Sequence, residues 1–158
     1  MLREIRDLGF ECAELSHGIR LSLVPGILEA VDAGEIKISS LHNFCPLPLG
    51  VNHAAPNLYE FSDERPRERE LAIKYTLKTL DFAGRVQAPV VVLHLGSMDL
   101  KDYTGKLCTM LERGQRNTPK YEKICAEAAR VREARKGRFV ENVHDTLRKP
   151  AGARGNPD

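Results

Sequence analysis

Two short stretches of this chain share one plan, and together they narrow the folds open to it. Pro89-Val-Val-Val-Leu-His-Leu-Gly96 is an apolar run with three consecutive β-branched residues, which suits a strand covered on both faces, as in a parallel sheet flanked by helices. Ile36-Lys-Ile-Ser-Ser-Leu-His42 repeats the plan: a short apolar-rich strand, a histidine at its end and a proline-containing loop behind it. In α/β folds, ligands bind beyond the carboxyl ends of the strands, where loops vary over a fixed sheet. Parallel neighbours run about 4.8 Å apart, so His42 and His94 on adjacent strands can reach one metal ion or one anionic substrate. A lone strand-end histidine is usually just hydrogen-bonded; the repeated context makes this pair a candidate site.

The rest of the chain supplies a third strand and the helices. Leu2, Ile5 and Leu8 on one stripe predict a helix closed by Gly9, followed by a strand over Phe10–Leu15 that ends on Glu14 and the polar turn Ser16-His17-Gly18. Pro25 and Gly34 bracket a helix with Ile27, Leu28 and Val31 inward, so residues 10–41 read as strand, helix, strand, a parallel crossover. The strongest helix runs from Arg67 to Val86, with Leu71, Tyr75, Leu77, Leu80, Phe82 and Val86 toward the sheet. Tyr103–Arg113 is a short helix. Pro119 opens a long one that buries Tyr121, Ile124, Cys125, Ala128, Val131, Phe139, Val140 and Val143 and is weakened at Gly137. Residues 43–66 are irregular and proline-rich; a loop this long inside a compact domain is functional or disordered, and its attachment behind His42 marks it as a wall or lid.

A length of 158 residues suits one domain, over 1–148, with a disordered tail over 149–158 that has no apolar anchor. With 42% hydrophobic and 29% charged residues and no membrane-spanning apolar run or secretory signal, the expected protein is cytoplasmic, with no membrane partner. The four cysteines form no CxxC pair and are expected to be reduced. His42 and Cys45 have the spacing of half a zinc site, but buried cysteine is the commoner outcome. Glu14 stands at the same strand ends as the histidines and is the candidate catalytic carboxylate, with a substrate or metal role. Arg65, Arg67 and Arg69 crowd the first turn of a helix, where cations oppose the dipole and an anionic ligand would offset them.

These residues carry a resemblance. Leu8-Gly-Phe-Glu-Cys-Ala-Glu-Leu15, Ile38-Ser-Ser-Leu-His-Asn-Phe-Cys-Pro46, Arg69 through Ala83 and Val90-Val-Val-Leu-His-Leu-Gly96 are similar, in order, to the xylose isomerase-like TIM-barrel superfamily of sugar phosphate isomerases and epimerases, which includes endonuclease IV. The resemblance implies that the three strands are the second to fourth of an eight-stranded barrel. It also implies that His42 and His94 bind a divalent metal (Mn, Zn or Mg) and that Glu14 is a carboxylate at the mouth; Asn43 and Arg67 are the candidate contacts to a sugar or sugar phosphate. A (β/α)8 barrel takes about 250 residues. The expected fold is therefore α/β, a partial (β/α)8 TIM barrel with about three parallel strands and four to five helices. The expected function is an incomplete metal-dependent isomerase or epimerase, inactive alone because the family's later carboxylate ligands are missing. The alternatives are a non-catalytic remnant, a half-barrel whose open sheet edges are covered by a second copy or another partner, and an endonuclease IV-like phosphodiesterase, although nucleic acid is not the expected partner.

Overall fold

The computed structural model describes residues 2–148, which fall into two compact units dividing between Gly96 and Ser97. The stretch expected to form a tail, 149–158, lies outside the described residues. The first unit runs α1 (Leu2–Asp7), β1 (Cys12–Leu15), a 3₁₀ turn (Leu21–Leu23), α2 (Val24–Asp32), β2 (Lys37–His42), α3 (Pro66–Arg85) and β3 (Val91–Val92). Its strands form a parallel sheet in the order β1-β2-β3. The chain is thus mixed α/β, with strands alternating with helices as the sequence pattern predicts.

Proline in the first turn starts both α2 and α3, where the missing amide costs nothing. One face of the sheet, carrying Ala13, Leu15, Ile38 and Leu41, packs with Ile27 of α2 and Phe82, Ala83 and Val86 at the end of α3. Ile38 and Leu41 are three residues apart, yet both are buried in this core, which regular alternation along a strand forbids. The register explains it: Ala13 faces Ile38 but Glu14 faces Ser40, so Ser39 is an extra residue in β2. The Ser39 hydroxyl bonds the Ala13 carbonyl at 3.2 Å within this irregularity. The bulge keeps Leu41 in the core and turns Ser40 and His42 onto the opposite face, where Glu14 already stands.

The long segment behind His42 is ordered and buries Phe44, Cys45, Leu47 and Phe61. It begins with cis peptide bonds at Asn43–Phe44 and Cys45–Pro46. The Leu47 amide bonds the Ile19 carbonyl beyond β1, and the Ser62 amide bonds the Leu95 carbonyl beyond β3, so the loop spans the carboxyl ends of the sheet. At its far anchor Gly96 has φ 121°, and an added Cβ would fall on the Ser62 side chain. Gly96→Ala is expected to lower the free energy of unfolding by about 2 kcal/mol, through strain and displacement of Ser62. Urea denaturation measures this; an unchanged midpoint would show that the loop yields freely.

Two expectations are corrected. The run from Val90 is not a strand buried on both faces: only Val91–Val92 pair with β2, and Val90, Leu93 and Leu95 are exposed. On α3 the buried face is Ala72, Thr76, Thr79, Phe82 and Ala83, while Leu77 and Leu80 face outward, because the threonines bond the loop behind β2. Cys45, by contrast, is the buried core residue expected, and burial pushes its thiol up to about 12, the opposite of what a metal-binding thiolate requires.

The second unit comprises α4 (Tyr103–Glu112) and α5 (Pro119–Arg148). Asp102 caps α4 by accepting the Gly105 amide at 2.8 Å, and the Thr118 hydroxyl accepts the Tyr121 amide at 3.2 Å where α5 begins. The Tyr103 hydroxyl bonds Glu127 at 3.1 Å between the two helices. Helix α5 runs unbroken through Gly137 and buries Ile124, Val143 and Thr146, whereas Val140 is exposed, against expectation. No helix among the described residues is long and apolar enough to cross a membrane.

Candidate functional site

The sheet face opposite the core carries the chemistry. Leu41 faces Val91 and His42 faces Val92, and since Leu41 and Val91 belong to the core side, His42, Val92 and the following His94 share the other face with Glu14 and Ser40. His17, two residues beyond β1, joins them. The three rings form a triangle with centroids 5.7 Å apart for His17 and His42, 5.9 Å for His17 and His94, and 5.6 Å for His42 and His94. The predicted pair is therefore brought together, and a third imidazole stands with it.

Each ring keeps one nitrogen shielded from solvent without a hydrogen-bond partner: His17 Nδ1, His42 Nδ1 and His94 Nε2. Such groups are uncommon in folded proteins, and three adjoining ones demand a physical cause. The His42 nitrogen lies 2.8 Å from Glu14 Oε1, in ion-pair contact. The other carboxylate oxygen, Oε2, accepts the Ser40 hydroxyl at 2.6 Å. That bond, and after it the attraction of His42 and His17, holds the Glu14 carboxyl below its usual range against the opposing cost of desolvation. Glu14 is thus an anion at neutral pH.

The triangle is wider than the ligand set of a metal centre. Three imidazoles on one tetrahedral zinc, with nitrogens about 2.0–2.1 Å from the ion, have ring centroids about 5 Å apart. The observed triangle, at 5.6–5.9 Å, is wider, and no set of three or more His, Cys, Asp or Glu among the described residues stands at ligand spacing.

The other predicted contacts lie elsewhere. Asn43 follows His42, but its amide is buried and occupied on both sides, donating to Thr76 Oγ1 at 2.7 Å and accepting from Thr79 Oγ1 at 2.9 Å on α3. Arg67 is exposed on the first turn of α3. Of its neighbours, Arg65 is held by Asp63 at 2.9 Å, and Arg69 donates to the backbone carbonyls of Asp63 and Glu64. The arginine Arg65 holds the Asp63 carboxyl below its usual range, so most of the cationic crowding is answered within the chain.

His17 was missed as a site residue because no apolar run points to it. A signal was present all the same, in that each of the three strands is followed within two residues by histidine or ends on one. No family model, curated protein or solved structure matches this chain.

Proposed function

We propose that the first unit is a divalent-metal site of the sugar isomerase and epimerase kind, built on part of a xylose isomerase-like barrel, with Glu14, His17, His42 and His94 as its ligands. The observation that carries this is three imidazole rings with centroids less than 6 Å apart, His17 Nδ1 and His94 Nε2 shielded and without a hydrogen-bond partner and His42 Nδ1 beside Glu14 Oε1. A carboxylate stands within this set: Glu14 Oε1 lies 2.8 Å from His42 Nδ1. Three imidazoles and one carboxylate favour zinc or manganese over magnesium.

When bound, the ion supplies a Lewis acid for the carbonyl and neighbouring hydroxyl of a sugar. Glu14, held ionised, neutralises part of the metal charge and donates no proton at neutral pH. The imidazoles orient from three separate strand ends, which fixes the direction from which a substrate oxygen enters. The loop over 43–62 spans this end of the sheet. Proton transfer at carbon calls for a base beyond these four side chains.

The test is saturation-transfer NMR on the full chain with a panel of aldoses, ketoses and their phosphates, with zinc or with EDTA. Sugar signals are expected to respond only with zinc present; equal responses in EDTA, or none in either, overturn the reading.

A further inference from the structure

The charge of this chain is divided unevenly: residues 1–96 carry 10 Lys and Arg against 13 Asp and Glu, and residues 97–158 carry 14 against 9. The excess is densest within α5, where Arg130, Arg132, Arg135, Lys136 and Arg138 stand against Glu133 alone. We propose that this segment of α5 binds double-stranded DNA, lying in the major groove with its cations on the phosphates of both walls. The inference is independent of the metal reading and concerns the second unit alone.

A basic helix packed on a protein is usually a solvated face, its cations confined to the outward side. Here every residue from Arg132 to Arg138 is exposed, and so is Arg130. At 3.6 residues per turn the five cations fan over roughly 240° of the helix circumference and about 12 Å of its length. A flat surface meets only part of that fan, whereas a groove with charge on two walls meets most of it. The B-form major groove, about 12 Å wide, admits an α-helix, while the major groove of duplex RNA is too narrow to be read that way. An anionic membrane fits less well, because a helix that lies on one buries an apolar face, and no apolar residue larger than alanine occurs over 132–138. Two of the cations make loose ion pairs: Arg135 lies 3.9 Å from Asp99 and Lys136 lies 3.6 Å from Glu133, in both cases between exposed side chains. Such pairs contribute little and leave both cations able to turn to phosphate.

The test is fluorescence anisotropy of the full chain with a short random-sequence DNA duplex, in EDTA and over a salt series. Neutralising about five phosphates gives a slope of log K against log salt of about −4.5, so affinity is expected to fall roughly 500-fold between about 50 and 200 mM salt. The variant Arg132→Ala/Arg135→Ala/Lys136→Ala is expected to flatten the slope to about −2, and since alanine favours helix, circular dichroism is expected to show α5 intact. The variant Lys101→Ala/Lys106→Ala/Arg113→Ala removes the same charge from exposed positions elsewhere in the second unit and is expected to leave the slope unchanged. Equal flattening by the two variants would show attraction by net charge alone and overturn the site. An absence of duplex binding in wild type overturns it too, as does RNA duplex bound as tightly as DNA, or phosphatidylserine vesicles bound more tightly than either.

Discussion

Zinc is expected to raise the melting temperature of the wild-type chain, and removal of any one of His17, His42 and His94 to abolish most of the rise. Ligands that bind only the folded state stabilise it by mass action. Free zinc at 100 times the dissociation constant adds about 2.7 kcal/mol. For a chain of this size that corresponds to roughly 10 °C. Manganese is expected to shift the midpoint less, and magnesium hardly at all, because imidazole is a poor ligand for it. His17→Ala is the most informative single variant. If His17 merely fills space against the other two rings, its loss lowers the metal-free midpoint and leaves the zinc-induced rise intact; if it is a ligand, the rise disappears. A wild-type chain whose midpoint ignores zinc would sink the proposal, and so would a His42→Ala/His94→Ala double variant that keeps the shift. Calorimetry with and without EDTA measures both.

How much of this could be read beforehand is best judged from single residues. His42 and His94 were legible because each closes an apolar run, and β2 and β3 do pair in parallel with the two rings on one face. The bulge that makes this possible was legible too, in a signal easily passed over. Ile36 and Ile38 keep the alternation of a strand, whereas Leu41 falls out of phase with them, although all three are buried. An apolar residue on the wrong parity marks an inserted residue, here in the pair Ser39-Ser40. What could not be read was the inward face of α3. Apolar periodicity places Leu77 and Leu80 inside, but the helix buries Thr76 and Thr79 instead, because polar groups of the loop behind β2 need partners there. Hydrophobic pattern reports burial of apolar area and is silent about which buried amides must be satisfied. The same blindness made Asn43 a candidate substrate contact, when its position after His42 serves to fasten the loop.

That fastening leads to the second large effect: Thr79→Val is expected to destabilise the fold by about 3 kcal/mol although it replaces a buried hydroxyl with a methyl of the same shape. The Thr79 oxygen is the node of the clamp. It accepts the Cys45 amide at 3.0 Å and donates to Asn43 Oδ1 at 2.9 Å. Asn43 and Thr79 are 1% exposed and Cys45 is 0% exposed, so water cannot replace what valine removes. Two buried polar groups then lose a partner at once, and leaving each unsatisfied costs about 1–3 kcal/mol. Valine opens no cavity and keeps the β-branch, so the loss isolates the hydrogen bonds from packing. Thr79→Ser reverses the comparison by keeping the oxygen and deleting a methyl, and is expected to cost about 1 kcal/mol. Urea unfolding of the two variants gives the order directly, with serine closer to wild type than valine; valine equal to wild type would show that the clamp contributes nothing. Because the clamp grips the residue immediately after His42, the valine variant is also expected to bind zinc more weakly per folded molecule, whereas serine leaves that affinity unchanged. This second readout separates a bond that merely holds the loop from one that also holds an imidazole in line with its neighbours.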